Sequence, residues 1–464
     1  MDTKAISRLC SRRIAVLTVA AAVAAGLAGC GGGGEETAPA TVPPATEAAP
    51  PTTEAAPPAT TEAAPPATET EEAPANYPVT DYVAYTGGTA GPADTSLEPV
   101  VIGWVNNEGG QILVGPTATN GAEFAVQYVN EKLGGVGGHP IELHKCAIKN
   151  AEEEGQTCGQ ELLNDSAVNV VNFGGVAVGA NSFESVIAGT KPIIIGVSVN
   201  AADATNPNTY ILAGAQQLIL EPYGSFASEV FDAKTAAVVY PETPGIQEGA
   251  AAIRDGLEAA GIETTFVGYD PATTDLVGPL TAAGAADADI IVPQSDPENC
   301  VKFAKALDQL GLTEHVISNP LCLTPFVAEA LGGDFPKWIY AIVQSILDPE
   351  DPGAQAYKAA LDEYGIGEQF TDPWFAEAFS QILTTVQLMN AAGYDNLSAE
   401  TIAEQLQAWE GPKVLGTPDI GCGRYPELPA SCNDNTIFFQ YEGQGAFRNI
   451  AGWFRPPESL QPQG

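Results

Sequence analysis

Short apolar runs separated by amphipathic stretches set the rhythm of this chain. Residues 100–105 are apolar apart from Gly103 and lead into Asn106-Asn107-Glu108-Gly109-Gly110, the pattern of a buried strand that delivers a polar, glycine-rich loop. Ala122, Ala125, Val129 and Leu133 then fall on one helical face, and Ile141-Glu142-Leu143 alternates like a strand. Strand-like runs follow at 167–173, 192–199, 236–240, 263–267, 288–293 and 315–318, with helical patterns at 181–188, 247–260 and 297–310. From 352 to 409 the pattern is mainly helical, and 435–454 reads as a hairpin rich in phenylalanine and tyrosine. Short, uniformly apolar strands alternating with helices predict an α/β fold whose parallel sheets are covered on both faces. From about residue 97 to Gly464 the chain exceeds what one compact core usually holds, which predicts two doubly wound lobes.

One glycine cluster, Gly134-Gly135-Val136-Gly137-Gly138, invites a nucleotide reading that the order of elements removes. A phosphate cradle needs a strand, then glycines, then a helix whose first amides point at the anion. Here the order is helix, glycines, strand, and Pro140 stands where the dinucleotide pattern wants its third glycine. Gly134 and Gly135 fit a helix C-cap instead, where positive φ is free of a Cβ clash.

The N-terminal region changes the picture of where the protein works. Lys4, Arg8, Arg12 and Arg13 precede an apolar, alanine-rich stretch from Ile14 to Leu27, which predicts a signal peptide over residues 1–29. Leu27-Ala28-Gly29-Cys30 resembles a bacterial lipobox, so Cys30 is the expected lipidated N-terminus of an extracytoplasmic lipoprotein anchored to the cell membrane. From Gly31 to about Ala75 the composition is glycine, then threonine, glutamate, alanine and proline, with TEAAPP starting at Thr46, Thr53 and Thr61. Such a segment buries too little to offset the entropy of ordering, and a stiff, disordered stalk is expected over residues 30–97.

Charge and cysteines narrow the partners. The formal net charge is −40, and loss of residues 1–29 removes four basic residues and only Asp2, leaving the chain more acidic still. Nucleic acid and anionic headgroups are poor partners for that surface, so contact with a membrane falls to the lipid alone. Eight cysteines less Cys10 and Cys30 leave six in an oxidising compartment, an even number that predicts three disulfides. Nearness in sequence favours Cys146 with Cys158, Cys300 with Cys322, and Cys422 with Cys432 among the 15 pairings that six cysteines allow.

Catalytic chemistry is sparse. His139, His144 and His315 lack metal spacing, no CxxC pair or HExxH motif points to zinc, and no GxSxG elbow supplies a nucleophile. The acidic run Glu152-Glu153-Glu154 reads as the start of a solvated helix. Neither enzyme activity, cofactor nor metal is expected. In open α/β sheets ligands collect beyond the carboxyl ends of strands. The loops there supply the candidate ligand-binding residues: Glu108 and Gly109, Gly175 and Ala177, Ser198, Val199 and Asn200, Gln294, Ser295 and Asp296, and Asn319.

Gly121-Ala122-Glu123-Phe124-Ala125-Val126, Asn130 and the run from Gly134 to Leu143 together resemble the GAxLAVxxINxxGGVxGxxIxL signature of the type I periplasmic binding proteins. Receptors of branched-chain amino acid ABC importers are the nearest subgroup. The resemblance implies two lobes joined by a three-crossover hinge that closes on a solute: 98–216 with 344–436, and 217–343 with 437–456, followed by a tail at 457–464. It implies a monomer that passes a small polar ligand, an amino acid, amide or related compound, to ABC permease subunits. In that family first-lobe amides and hydroxyls receive a carboxylate, near Glu108, Gly109, Ala177 and Ser198 to Asn200 here. Ala177 stands where a serine is usual, Pro244 near an expected tyrosine, and Leu321 near the acid that holds an ammonium. The same fold also suits a surface lipoprotein that senses a ligand and signals through a partner.

Overall fold

A computed structural model describes residues 77–109, 115–198, 200–243 and 245–462, all within one compact unit. The signal peptide, Cys30, the stalk as far as residue 76, Val199 and Pro244 lie outside the described residues.

Five parallel strands form one sheet: β1 (Val100–Asn107), β2 (Ile141–Ile148), β3 (Val168–Phe173), β4 (Ile193–Ile195) and β5 (Thr209–Ile211), ordered β2-β1-β3-β4-β5. The other lobe holds β6 (Thr235–Pro241), β7 (Glu263–Tyr269), β8 (Ile290–Pro293), β9 (Ile317–Ser318), β10 (Ile339–Ile342), β11 (Thr436–Gly443) and β12 (Ala446–Phe454). A parallel bridge between Ile291 and Val316 joins β7-β6-β8 to β9-β10-β11-β12. The second sheet is mixed, because the final hairpin adds β11 and β12 antiparallel to its edge. Strands β5 and β10, Thr-Tyr-Ile and Ile-Tyr-Ala-Ile, are not foreseen from the pattern, being too short to show a period.

Helix Thr117–Lys132 buries Ala122, Ala125 and Val129 as their spacing requires, and its Phe124 ring stacks on Phe379 of helix Pro373–Ala392 at 5.5 Å. Gly135 follows with φ +68°, where a Cβ would lie 1.8 Å from the carbonyl oxygen of His139, so the glycine cluster ends the helix and folds the chain back toward β2. Disulfides join Cys146 to Cys158, Cys300 to Cys322, and Cys422 to Cys432.

Residues 77–97 depart from the expected stalk. Asp81 caps helix Tyr82–Thr86 by accepting from the Ala84 N–H, and Tyr82 and Tyr85 are buried. Tyr82 meets Phe379 edge-on at 5.6 Å, and the Tyr85 hydroxyl is 2.9 Å from Thr384 Oγ1. Burying an aromatic side chain contributes about 2 kcal/mol, and tyrosine is the residue that the preceding low-complexity segment lacks.

The chain passes between the two lobes after β5, after β10 and before β11. These crossings are tied together side by side. Ser431 Oγ accepts from the Ala215 N–H, Asn433 Nδ2 donates to the carbonyls of Ala213 and Asn435, and the Ser345 N–H donates to the Leu415 carbonyl.

Candidate functional site

At the carboxyl ends of the first sheet, two asparagines gather the loops. Asn107, fully buried, donates through Nδ2 to the carbonyls of Ile148 and Val178 and accepts through Oδ1 from the N–H groups of Ala177 (2.6 Å) and Val178 (3.1 Å). Asn106 donates to Glu108, to the Gly115 carbonyl and to Thr119 Oγ1, and accepts from the Gly175 N–H. Thr119 also accepts from Trp104 Nε1 and donates to Glu108. Asn200 Nδ2 reaches the Val176 carbonyl at 2.9 Å. The Ser198 hydroxyl is shared between the Asn200 carbonyl and Asp203 Oδ2, at 2.8 and 2.9 Å.

The expected first-lobe residues Glu108, Gly175, Ala177, Ser198 and Asn200 are thus brought together, with Gly109 at the mouth of the same loop in positive φ. Many of their polar groups are engaged with one another. The Ala177 N–H, which the resemblance offers to a carboxylate, is held by Asn107 in this structure.

Behind these loops lies a pair of acids. Glu184, on helix Ala180–Ile187, and Asp203 are both buried. Burial raises both carboxyls above their ordinary range, and the Asp203 charge raises Glu184 further.

The second lobe gathers Gln294, Ser295 and Asn319 more simply. Asn319 Nδ2 donates to Gln294 Oε1 (2.8 Å) and to the Ser295 carbonyl (2.9 Å), while its Oδ1 accepts from the Leu321 N–H. Asp296 is turned away to other work. Its carboxylate caps helix Pro297–Leu310 by accepting from the Asn299 N–H and Nδ2. The Cys300–Cys322 disulfide fastens the start of that helix to the Asn319 turn, and Ser295 Oγ lies 3.3 Å from Cys300 Sγ.

Between the lobes, beside the crossings, is a narrow cavity of about 50 Å³ that opens to solvent. Val197, just beyond β4, lines one side with Pro373 and Trp374; Ile219, Leu220, Pro320 and Ile342 line the other. Gln344 and Thr436 are its polar members, and the Thr436 hydroxyl is committed to the Ile219 carbonyl at 2.5 Å. Asn106, Asn107, Trp374 and Gln344 are absent from the expected set. Asn106-Asn107 could have been found, since two amides end an apolar strand there; Gln344 could not, because the strand before it gives no signal.

The histidines lie elsewhere. His139 stacks on Tyr394 at 3.5 Å, His144 sits between Glu161 and Asp165, and His315 bonds the Asp289 carbonyl. Among the described residues no cluster of metal-ligating side chains occurs and no helix is long and apolar enough to cross a membrane.

The sequence profile of the periplasmic binding protein family matches residues 99–424. No curated protein sequence matches the chain at a significant level. Among solved structures, a leucine binding protein, LivK, from Thermotoga maritima is 15% identical with a TM-score of 0.61, over 77% of this chain and 99% of its own. An ABC transporter substrate-binding protein from Sphaerobacter thermophilus is 17% identical with a TM-score of 0.64, over 78% of this chain and all of its own. A solute binding protein from R. palustris, in complex with 4-hydroxybenzoate, is 16% identical with a TM-score of 0.60, over 79% and 100%. With two α/β lobes, three crossings and a family match spanning most of its length, the chain belongs to the periplasmic binding protein family.

Proposed function

We propose that this chain is the solute receptor of an ABC importer, held outside the cytoplasm by a lipid on Cys30, which closes on a small ligand and hands it to a permease. The observation that carries the reading is the cavity lined from both lobes beside the three crossings, where a ligand would favour the closed form by touching both halves at once. Its walls suit a solute with an apolar body. The similar proteins named above include receptors for leucine and for 4-hydroxybenzoate, both of which have one.

A free α-amino acid is the poorer fit. Asp296 is committed to its helix, Leu321 stands at the position of the family's ammonium partner, and losing a charge-assisted bond in a closed cleft costs about 1.5 to 3 kcal/mol. The receptor itself needs no covalent step. A thermal-shift screen of amino acids, amides, phenols and organic acids on the purified chain tests the proposal, because a ligand that binds only the folded state raises its melting temperature. A shift of several degrees with one class is expected, and a flat response across every class contradicts it.

A further inference from the structure

The cavity between the lobes holds one polar group whose bonding is incomplete. Gln344 follows β10 in the second crossing, is 3% exposed, and lines the cavity. Its Nε2 donates to Glu377 Oε2 at 2.9 Å and to the Pro373 carbonyl at 3.3 Å. Both partners are pure acceptors, so the amide can be placed in only one sense, with the NH2 group toward helix Pro373–Ala392. The opposite atom, Oε1, accepts no hydrogen bond from any described residue.

Glu377 is itself fixed. Lys413 Nζ donates to the same Oε2 at 2.6 Å, and both side chains of the pair are buried. Glu377 packs against the backbone at Gly196, where a Cβ would come within 2.5 Å of its Cγ. A buried carboxylate held by a lysine and a glycine backbone has little freedom to turn, and the Gln344 amide is held with it.

We infer that Gln344 Oε1 is the polar anchor of the inter-lobe cavity, and that it selects an apolar solute whose buried end carries a neutral hydrogen-bond donor, a hydroxyl or an amide N–H. The inference rests on the receptor reading and narrows it. An acceptor in an apolar pocket rewards a donor and penalises a second acceptor left facing it, because each buried oxygen would lack a partner. A carboxylate is the least suitable group at that end, with Glu377 directly behind the amide. Trp374 and Leu220 then bury the apolar body of the solute.

Two matched sets of probes test this on the purified chain by calorimetry: isovaleramide against methyl isovalerate and isovalerate, and 4-methylphenol against 4-methylanisole. Isovaleramide and 4-methylphenol are expected to bind at least about tenfold more tightly than their donor-free counterparts, the effect of one buried hydrogen bond. Gln344→Met, close in volume, is expected to bring each ratio to within about twofold. Glu377→Gln leaves the residue in contact with the solute intact but lets its amide turn over, so methyl isovalerate is expected to gain on isovaleramide; a purely structural role for Glu377 would lower both alike. Melting curves without probe establish that each variant folds. Isovalerate binding as well as isovaleramide, or discrimination that survives Gln344→Met in a folded protein, overturns the inference. Failure of all these probes while another solute class stabilises the protein overturns it and spares the receptor; failure of every class overturns both.

Discussion

The loops at the strand ends of the two lobes are alike in composition and differ in how they are held. In the first lobe the Asn107 side chain makes four hydrogen bonds that tie the ends of β1, β2 and β3, and the Cys146–Cys158 disulfide joins β2 only to the helix that follows it. In the second lobe Asn319 makes three, and the Cys300–Cys322 disulfide supplies the rest of the restraint. Polar residues beyond strands are therefore in large part the fastenings of the cleft. The acceptor left open for a ligand lies instead at Gln344, in a cavity whose other polar member, Thr436, is already bonded to the Ile219 carbonyl.

The sharpest break of this comparison is Asn107→Ala. It removes four side-chain hydrogen bonds, three of them only partly buried, and is expected to cost up to about 4 kcal/mol in urea unfolding, at about 1 kcal/mol for each bond. Asn319→Ala should cost less, and an equal loss would mean that the lobes are held alike. Replacing both Cys300 and Cys322 by alanine is expected to cost about 3 kcal/mol, because the bond closes a loop of sequence separation 22. Replacing either lobe's fastening should change ligand affinity through the loops, whereas Gln344→Met should change selectivity.

A smaller effect separates the lobes by pH. Glu184 and Asp203 in the first lobe have carboxyls raised by burial, Glu184 also by the Asp203 charge, so the folded state keeps protons that the unfolded state has already released. Their contribution is fully present below the ordinary carboxylate range and is lost as pH climbs toward and through neutrality. Glu184→Gln is expected to flatten that decline and to stabilise the protein at pH 8 relative to wild type by on the order of 1 kcal/mol, read from melting temperatures at pH 5 and pH 8. The smallest change is Asp296→Ala. Loss of a helix cap costs about 1 kcal/mol, and with its carboxylate committed to Asn299 the substitution should leave ligand affinity unchanged.

Much of the fold could be read before the structure. Ala122, Ala125 and Val129 announce their helix by period, and Gly134 and Gly135, both at positive φ just past its C-cap Leu133, turn the chain out of it. The three disulfides follow nearness in sequence, since each fastens neighbouring elements of the fold. The stalk boundary at 97 misses the helix Tyr82–Thr86, whose five residues are too few to show periodicity, although the tyrosines mark the change of composition. Position along the chain brings Glu108, Ala177, Asn200, Gln294 and Asn319 to the strand ends. Whether a polar group is free or already bonded depends on Asn106, Asn107 and Asn299, whose partners are distant or geometric, and no pattern of residues reveals that. Gln344 is hidden for a further reason, because its orientation depends on Glu377 and Lys413, both remote in sequence.

The central claim is that the two lobes close on a solute held between them. Glu153 and Glu298 are exposed at the starts of helices that follow β2 in one lobe and β8 in the other, so the distance between spectroscopic labels at these positions reads closure directly. Addition of a solute that raises the melting temperature is expected to shorten that distance; an unchanged distance at saturation would contradict the account.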